Sequence, residues 1–231
     1  MFYQAVCAAI GLAAISTSAS AQGITGGELT IDGFGFNQGN NDGIVNYSGA
    51  LEFGINRNFS IAGDVAFYDF SFFDDDVTNF TLHGIYHLDD SRSIGLLVGN
   101  DREDGDGTTF FGLEGGLDSN QLTLEGYAAV YDNSSDDIVL EVSGDYQLTG
   151  AVSAIGTFGY GDIGNDDITR ISGGVEYAFQ TGPSLYAEIG HINTDGADSE
   201  FIGLGAKIEF GAARGTTFDR RGISPTLLPF F

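Results

Sequence analysis

Cysteine, proline, tryptophan and positive charge are all scarce in this chain. Its 231 residues include one cysteine, three prolines and no tryptophan. A lone Cys7 leaves no intramolecular disulfide to form, so stability must come from packing and hydrogen bonds. Lys and Arg number 8 against 33 Asp and Glu, for a net charge of −25. That balance excludes a nucleic-acid partner, because phosphate binding requires clustered Lys and Arg. Beyond Ala21 no stretch approaches the roughly 20 apolar residues of a membrane helix. Hydrophobic residues nevertheless make up 42% of the chain, spread at short spacing.

The N-terminus reads as an export signal over 1–21. An alanine-rich apolar stretch runs from Ala5 to Ile15 and ends in the A-x-A site Ala19-Ser20-Ala21, although Met1 to Gln4 carries no basic residue. Cleavage near Ala21 would remove Cys7. The rest shows no internal boundary, so 22–210 is read as one domain followed by a tail over 211–231.

Glycine at 36, phenylalanine at 19 and tyrosine at 10 suit long aromatic strands joined by tight turns. Alternation bears this out. Val45, Tyr47, Leu51, Phe53 and Ile55 share one face of a period-two pattern, and Asn46, Ser48, Ala50 and Glu52 share the other. The same pattern predicts 12 strands, over 28–36, 45–55, 59–68, 78–88, 92–100, 108–117, 121–131, 138–147, 151–160, 168–179, 184–192 and 201–210. Most have the length of about 9 to 11 residues that a tilted strand needs to cross hydrocarbon. In the first, Leu29 and Ile31 alternate one way and Phe34 and Phe36 the other, which predicts a bulge at Gly33 or Gly35.

Connections alternate in kind. Short ones centre near Arg57, Asp90, Ser119, Thr149 and Thr181, and the others fall at 37–42, 71–77, 101–107, 132–137, 161–167 and 193–200. The second set holds 17 of the 33 acidic residues, so one end of the hairpins is strongly anionic. Such segregation suits the two rims of an all-β, transmembrane, up-and-down antiparallel barrel of about 12 strands.

In such a barrel the apolar face meets lipid and the other face encloses water. The inward face then carries Glu52, Asp64, His83, Glu114, Glu125, Glu141, Asp145, Arg170, Glu176, Glu188, Lys207 and Glu209, the expected pore lining. A dry core would not tolerate so many carboxylates, since each unpaired charge there costs several kcal/mol. Small lumenal residues leave room for a channel, whereas Tyr68, Tyr127, Tyr131 and Tyr186 are placed to close it. Aromatics near strand ends, among them Phe59, Tyr86, Tyr146, Tyr177 and Phe179, are candidates for interfacial girdles.

The export signal, tandem amphipathic hairpins, acidic loops and a terminal aromatic together resemble the Gram-negative porins and related outer-membrane barrels. The resemblance covers Gly26 to Phe210 as a pattern. It implies outer-membrane lipid and the barrel-assembly machinery as partners, with Phe210 or Phe231 as the residue that machinery reads. The chain departs from general porins in its shorter length, in lacking a segment long enough for a pore-folded loop, and in its tail. That tail holds Arg214, Arg220 and Arg221 against one acid, Asp219. Docking across the periplasmic mouth would bring these arginines to lumenal carboxylates such as Glu209 or Glu176.

No cofactor, metal site or catalytic set is expected. Asp101 to Gly107 lacks the full order of a calcium loop, the three histidines His83, His87 and His191 are scattered, and no G-x-S-x-G motif is present. The function these residues point to is passive diffusion of small hydrophilic solutes, cations above anions. The alternative is a structural or surface-interaction barrel whose filled lumen conducts nothing.

Overall fold

The computed structural model describes residues 23–37, 43–70, 76–103, 105–133, 137–164, 166–180, 182–196, 198–212 and 215–227. The export-signal reading, Arg214 and Phe231 lie outside them.

Twelve strands form: β1 (Gly23–Phe36), β2 (Gly43–Gly54), β3 (Phe59–Phe70), β4 (Asp76–His87), β5 (Arg92–Glu103), β6 (Asp106–Asp118), β7 (Leu122–Tyr131), β8 (Ile138–Gln147), β9 (Val152–Ile163), β10 (Asp166–Ala178), β11 (Pro183–Asn193) and β12 (Asp198–Phe210). Each pairs antiparallel with its sequence neighbours, and β12 closes on β1 from Gly27↔Phe210 to Phe36↔Phe201. The result is a closed up-and-down barrel with no free edge. Side-chain caps set the tight turns. Asn56 Oδ1, for instance, accepts from the backbone N–H groups of Asn58 at 2.9 Å and Phe59 at 3.0 Å.

Alternation sorts the side chains as the lipid argument requires. Leu96, Leu113 and Ile189 stand about two-thirds exposed on the outer surface. Phe59 packs on Tyr86 at 4.8 Å and Tyr177 on Phe179 at 4.9 Å, both pairs close to the short turns. Among the described residues no helix is long and apolar enough to cross a membrane.

Two expectations are corrected. The register irregularity of β1 lies between Ile24 and Gly26, and pairing runs unbroken through Gly33 and Gly35. Phe34 and Phe36 therefore keep the parity of Glu28, Thr30 and Asp32 and point inward, where both pack in an apolar cluster. Most strands also run further toward the long-loop end than alternation indicates. β5 and β6 pair as far as Glu103↔Asp106, which turns the acidic segment at 101–107 into a tight hairpin.

After Phe210 the chain reverses through Gly211 and Gly215, whose φ angles of +95° and +97° suit glycine. It then enters the barrel. A Cβ on Gly26 would lie 1.6 Å from the Gly215 carbonyl oxygen, so the entry requires glycine at that strand position.

Candidate functional site

The barrel interior is filled at one end and hollow at the other. Toward the long-loop end apolar side chains point inward from most strands, Phe36, Ile44, Phe70, Val77 and Phe110 on β1 to β4 and β6, and Tyr131, Val139, Ile163, Ile168, Ile192 and Phe201 on β7 to β12, while β5 adds Leu97 at mid-strand opposite His83. Ile223 and Leu227 of the tail pack into this layer. Toward the short turns lies a chamber of about 1090 Å³ whose wall includes the turn residues Asn56, Arg57, Asp89, Asp90 and Asp118.

The twelve charged positions expected inside all fall on that face. Glu52, Glu125, Glu141, Asp145, Arg170, Glu176, Glu188, Lys207 and Glu209 line the chamber. Asp64, His83 and Glu114 are buried beside it. His83 lies between two carboxylates, with Nε2 at 2.7 Å from Asp64 and Nδ1 at 2.8 Å from Glu114. Two such hydrogen bonds require two protons among the three groups, which leaves the triad with a single net negative charge.

Between layer and chamber runs the tail, from the short-turn end upward. The backbone N–H of Thr217 donates to Glu52 at 2.7 Å, and that of Asp219 to Glu125 at 3.1 Å. Arg221 is fully buried: Nε donates to Glu114 at 3.1 Å and Nη2 to Glu125 at 2.6 Å, with the guanidinium over the Tyr127 ring at 5.0 Å. Its carbonyl accepts from Asn79 at 2.8 Å. Further up, the Ile223 N–H donates to Asp101 at 2.9 Å, and Arg170 donates to the carbonyls of Pro225 and Thr226, both at 3.3 Å. The short helix Ile223–Leu227 thus has its first N–H and last carbonyls held by barrel side chains.

The partners expected of the tail were Glu209 and Glu176, and the structure corrects both. Those carboxylates engage Lys207, at 2.9 Å and 3.7 Å, while Arg221 reaches Glu114 and Glu125, and Arg220 approaches Asp32 at 3.7 Å. The segment climbs past the mouth and well into the lumen, which places its arginines beyond the residues nearest its entry. Of the tyrosines, Tyr127 and Tyr131 hydrogen-bond the tail, and Tyr186 donates to Asp32 at 2.9 Å. Alternation did not single out Asp32, Asn79 or Asp101. His191 lies on the outer face, away from His83. Among the described residues no group of His, Cys, Asp and Glu is arranged to hold a metal ion.

No family model and no curated protein matches this sequence. Solved structures do match its fold. The KdgM porin superposes with a TM-score of 0.58 at 12% identity, over 79% of this chain and 99% of that one. The NanC porin gives 0.60 at 8%, over 78% and 98%. An outer-membrane channel from Pseudomonas putida F1 gives 0.57 at 12%, over 84% and 98%. At such identities the likeness concerns the fold, which is that of the Gram-negative outer-membrane porin barrels.

Proposed function

We propose that this protein is an exported outer-membrane channel of the porin type, passing small hydrophilic solutes with a preference for cations, and that its own C-terminal segment closes it. The observation that carries the reading is the inverted barrel: an apolar surface around a chamber in which carboxylates outnumber Arg and Lys. A chamber lined by one sign of charge raises the local concentration of the opposite ion. Export would cleave the chain near Ala21. Phe210, which ends β12, is the residue offered to the barrel-assembly machinery.

A second reading, a barrel that conducts nothing, is favoured by the apolar layer spanning the long-loop end. Conductance separates the two. In planar bilayers the full chain is expected to be quiet at low voltage. The double variant Arg220→Gln, Arg221→Gln should open frequently with a cation-selective reversal potential. Silence from both would establish the non-conducting reading, and anion preference would overturn the selectivity.

A further inference from the structure

In the wall of the chamber three adjacent strands place three polar side chains side by side. Asp32 on β1 is opposite Asn46 on β2, and Asn46 is opposite Tyr68 on β3. Directly opposed side chains have Cβ atoms about 4.5 to 5.5 Å apart, so Asp32 and Tyr68 flank Asn46 at one strand's spacing on either side. All three line the chamber and are at least nine-tenths buried.

Each also has a polar atom with nothing to bond. Asp32 Oδ2 accepts from Asn46 Nδ2 at 3.1 Å and from Tyr186 at 2.9 Å, which leaves Oδ1 without a partner. Because the Asn46 amide nitrogen is committed to Asp32, its free atom is the oxygen, an acceptor. The Tyr68 hydroxyl is unpartnered as well. Buried polar atoms normally find partners, so three unpartnered ones in one row, closed to solvent with Arg220 beside Asp32, mark a place that a donor-rich group can fill when that side chain moves aside.

We propose that Asp32, Asn46 and Tyr68 bind the primary ammonium head of a cationic organic solute, and that Arg220 of the tail supplies the charge of that ligand without its hydrogen bonds. An ammonium carries three N–H donors in a compact head, matching two free acceptors and a hydroxyl. Arg220 comes within 3.7 Å of Asp32 Oδ2, an ion-pair distance too long for a hydrogen bond, and its Nε is engaged with its neighbour Asp219 at 3.4 Å. Arg221 next to it is, by contrast, bonded to two barrel carboxylates. Arg220 is thus the loosely held residue of the pair, and an entering amine competes with it for Asp32.

The inference concerns binding and does not require the barrel to conduct. The test is calorimetric titration of the refolded full chain in detergent micelles with putrescine, and with the diol of the same length as a neutral analogue. Putrescine should bind and the diol should not. Asp32→Asn should weaken putrescine roughly ten-fold or more through loss of a charge-assisted hydrogen bond. Asp145→Asn, which removes the same charge from elsewhere in the chamber, should weaken it less than three-fold. Arg220→Gln should tighten binding by removing the competing cation. Equal losses in the two acidic variants would reduce the site to diffuse attraction and overturn the inference. So would equal binding of amine and diol, or no binding of putrescine to either the wild type or Arg220→Gln. Far-ultraviolet circular dichroism of each variant checks that the barrel has formed.

Discussion

At the scale of single residues, the interior is held by charges that would be costly alone. Glu114 takes part in both networks, accepting from His83 at one oxygen and from Arg221 at the other. Breaking a buried pair from one side leaves an uncompensated charge, at a cost of about 3 to 5 kcal/mol. His83→Phe is therefore expected to lower unfolding stability in detergent micelles by about 3 kcal/mol. With no tryptophan to report, the urea transition is followed by circular dichroism, and a loss below about 1 kcal/mol would show that the triad contributes little. That His83 and Glu114 face inward was legible from parity alone. Their meeting was not, because the two residues sit on β4 and β6, and their side chains join over Gly95 of the intervening β5, where a Cβ would lie 2.6 Å from Glu114 Oε1.

At the scale of the strand, period-two alternation predicted number, order and facing, since a one-residue slip would turn every charge toward lipid. It failed where apolar side chains occupy both faces. Phe34, Phe36, Phe110, Ile168, Ile192 and Phe201 carry inward parity near the long loops, and their apolar character obscured the pattern there. For that reason alternation sets a bulge at Gly33 or Gly35, where pairing is unbroken, and sets several strand ends too short. The outward face is open to a direct test. Leu113 lies near the middle of β6 and is 64% exposed. Leu113→Arg should cost about 2 to 4 kcal/mol when folding is measured in lipid bilayers, the penalty for a cation at mid-depth. A variant that folds as well as the wild type would place that surface in water.

At the scale of the whole molecule, an apolar layer and the tail residues Ile223 and Leu227 fill the barrel toward the long loops and leave a chamber toward the short turns. The positive charge of the tail hinted at an acidic host. How far it climbs could not be read from the sequence, because that depends on the free length beyond Phe210 and on which carboxylates remain unclaimed once Lys207 has taken Glu176 and Glu209. A cross-link probes the placement without disturbing those charges. A Cβ on Gly159 would lie 2.9 Å from Thr226 Cγ2, so the two Cβ positions fall within the reach of a disulfide.

The measurement that tests the account most directly is bilayer conductance of the chain beginning at Gln22 with Arg220→Gln and Arg221→Gln to loosen the tail and Gly159→Cys and Thr226→Cys to pin it, before and after reduction. The account predicts that the disulfide forms and that the oxidised protein stays closed, with openings appearing once a reductant frees the tail. Failure to cross-link, or equal conductance in the two states, would contradict the placement of the tail as the closing element.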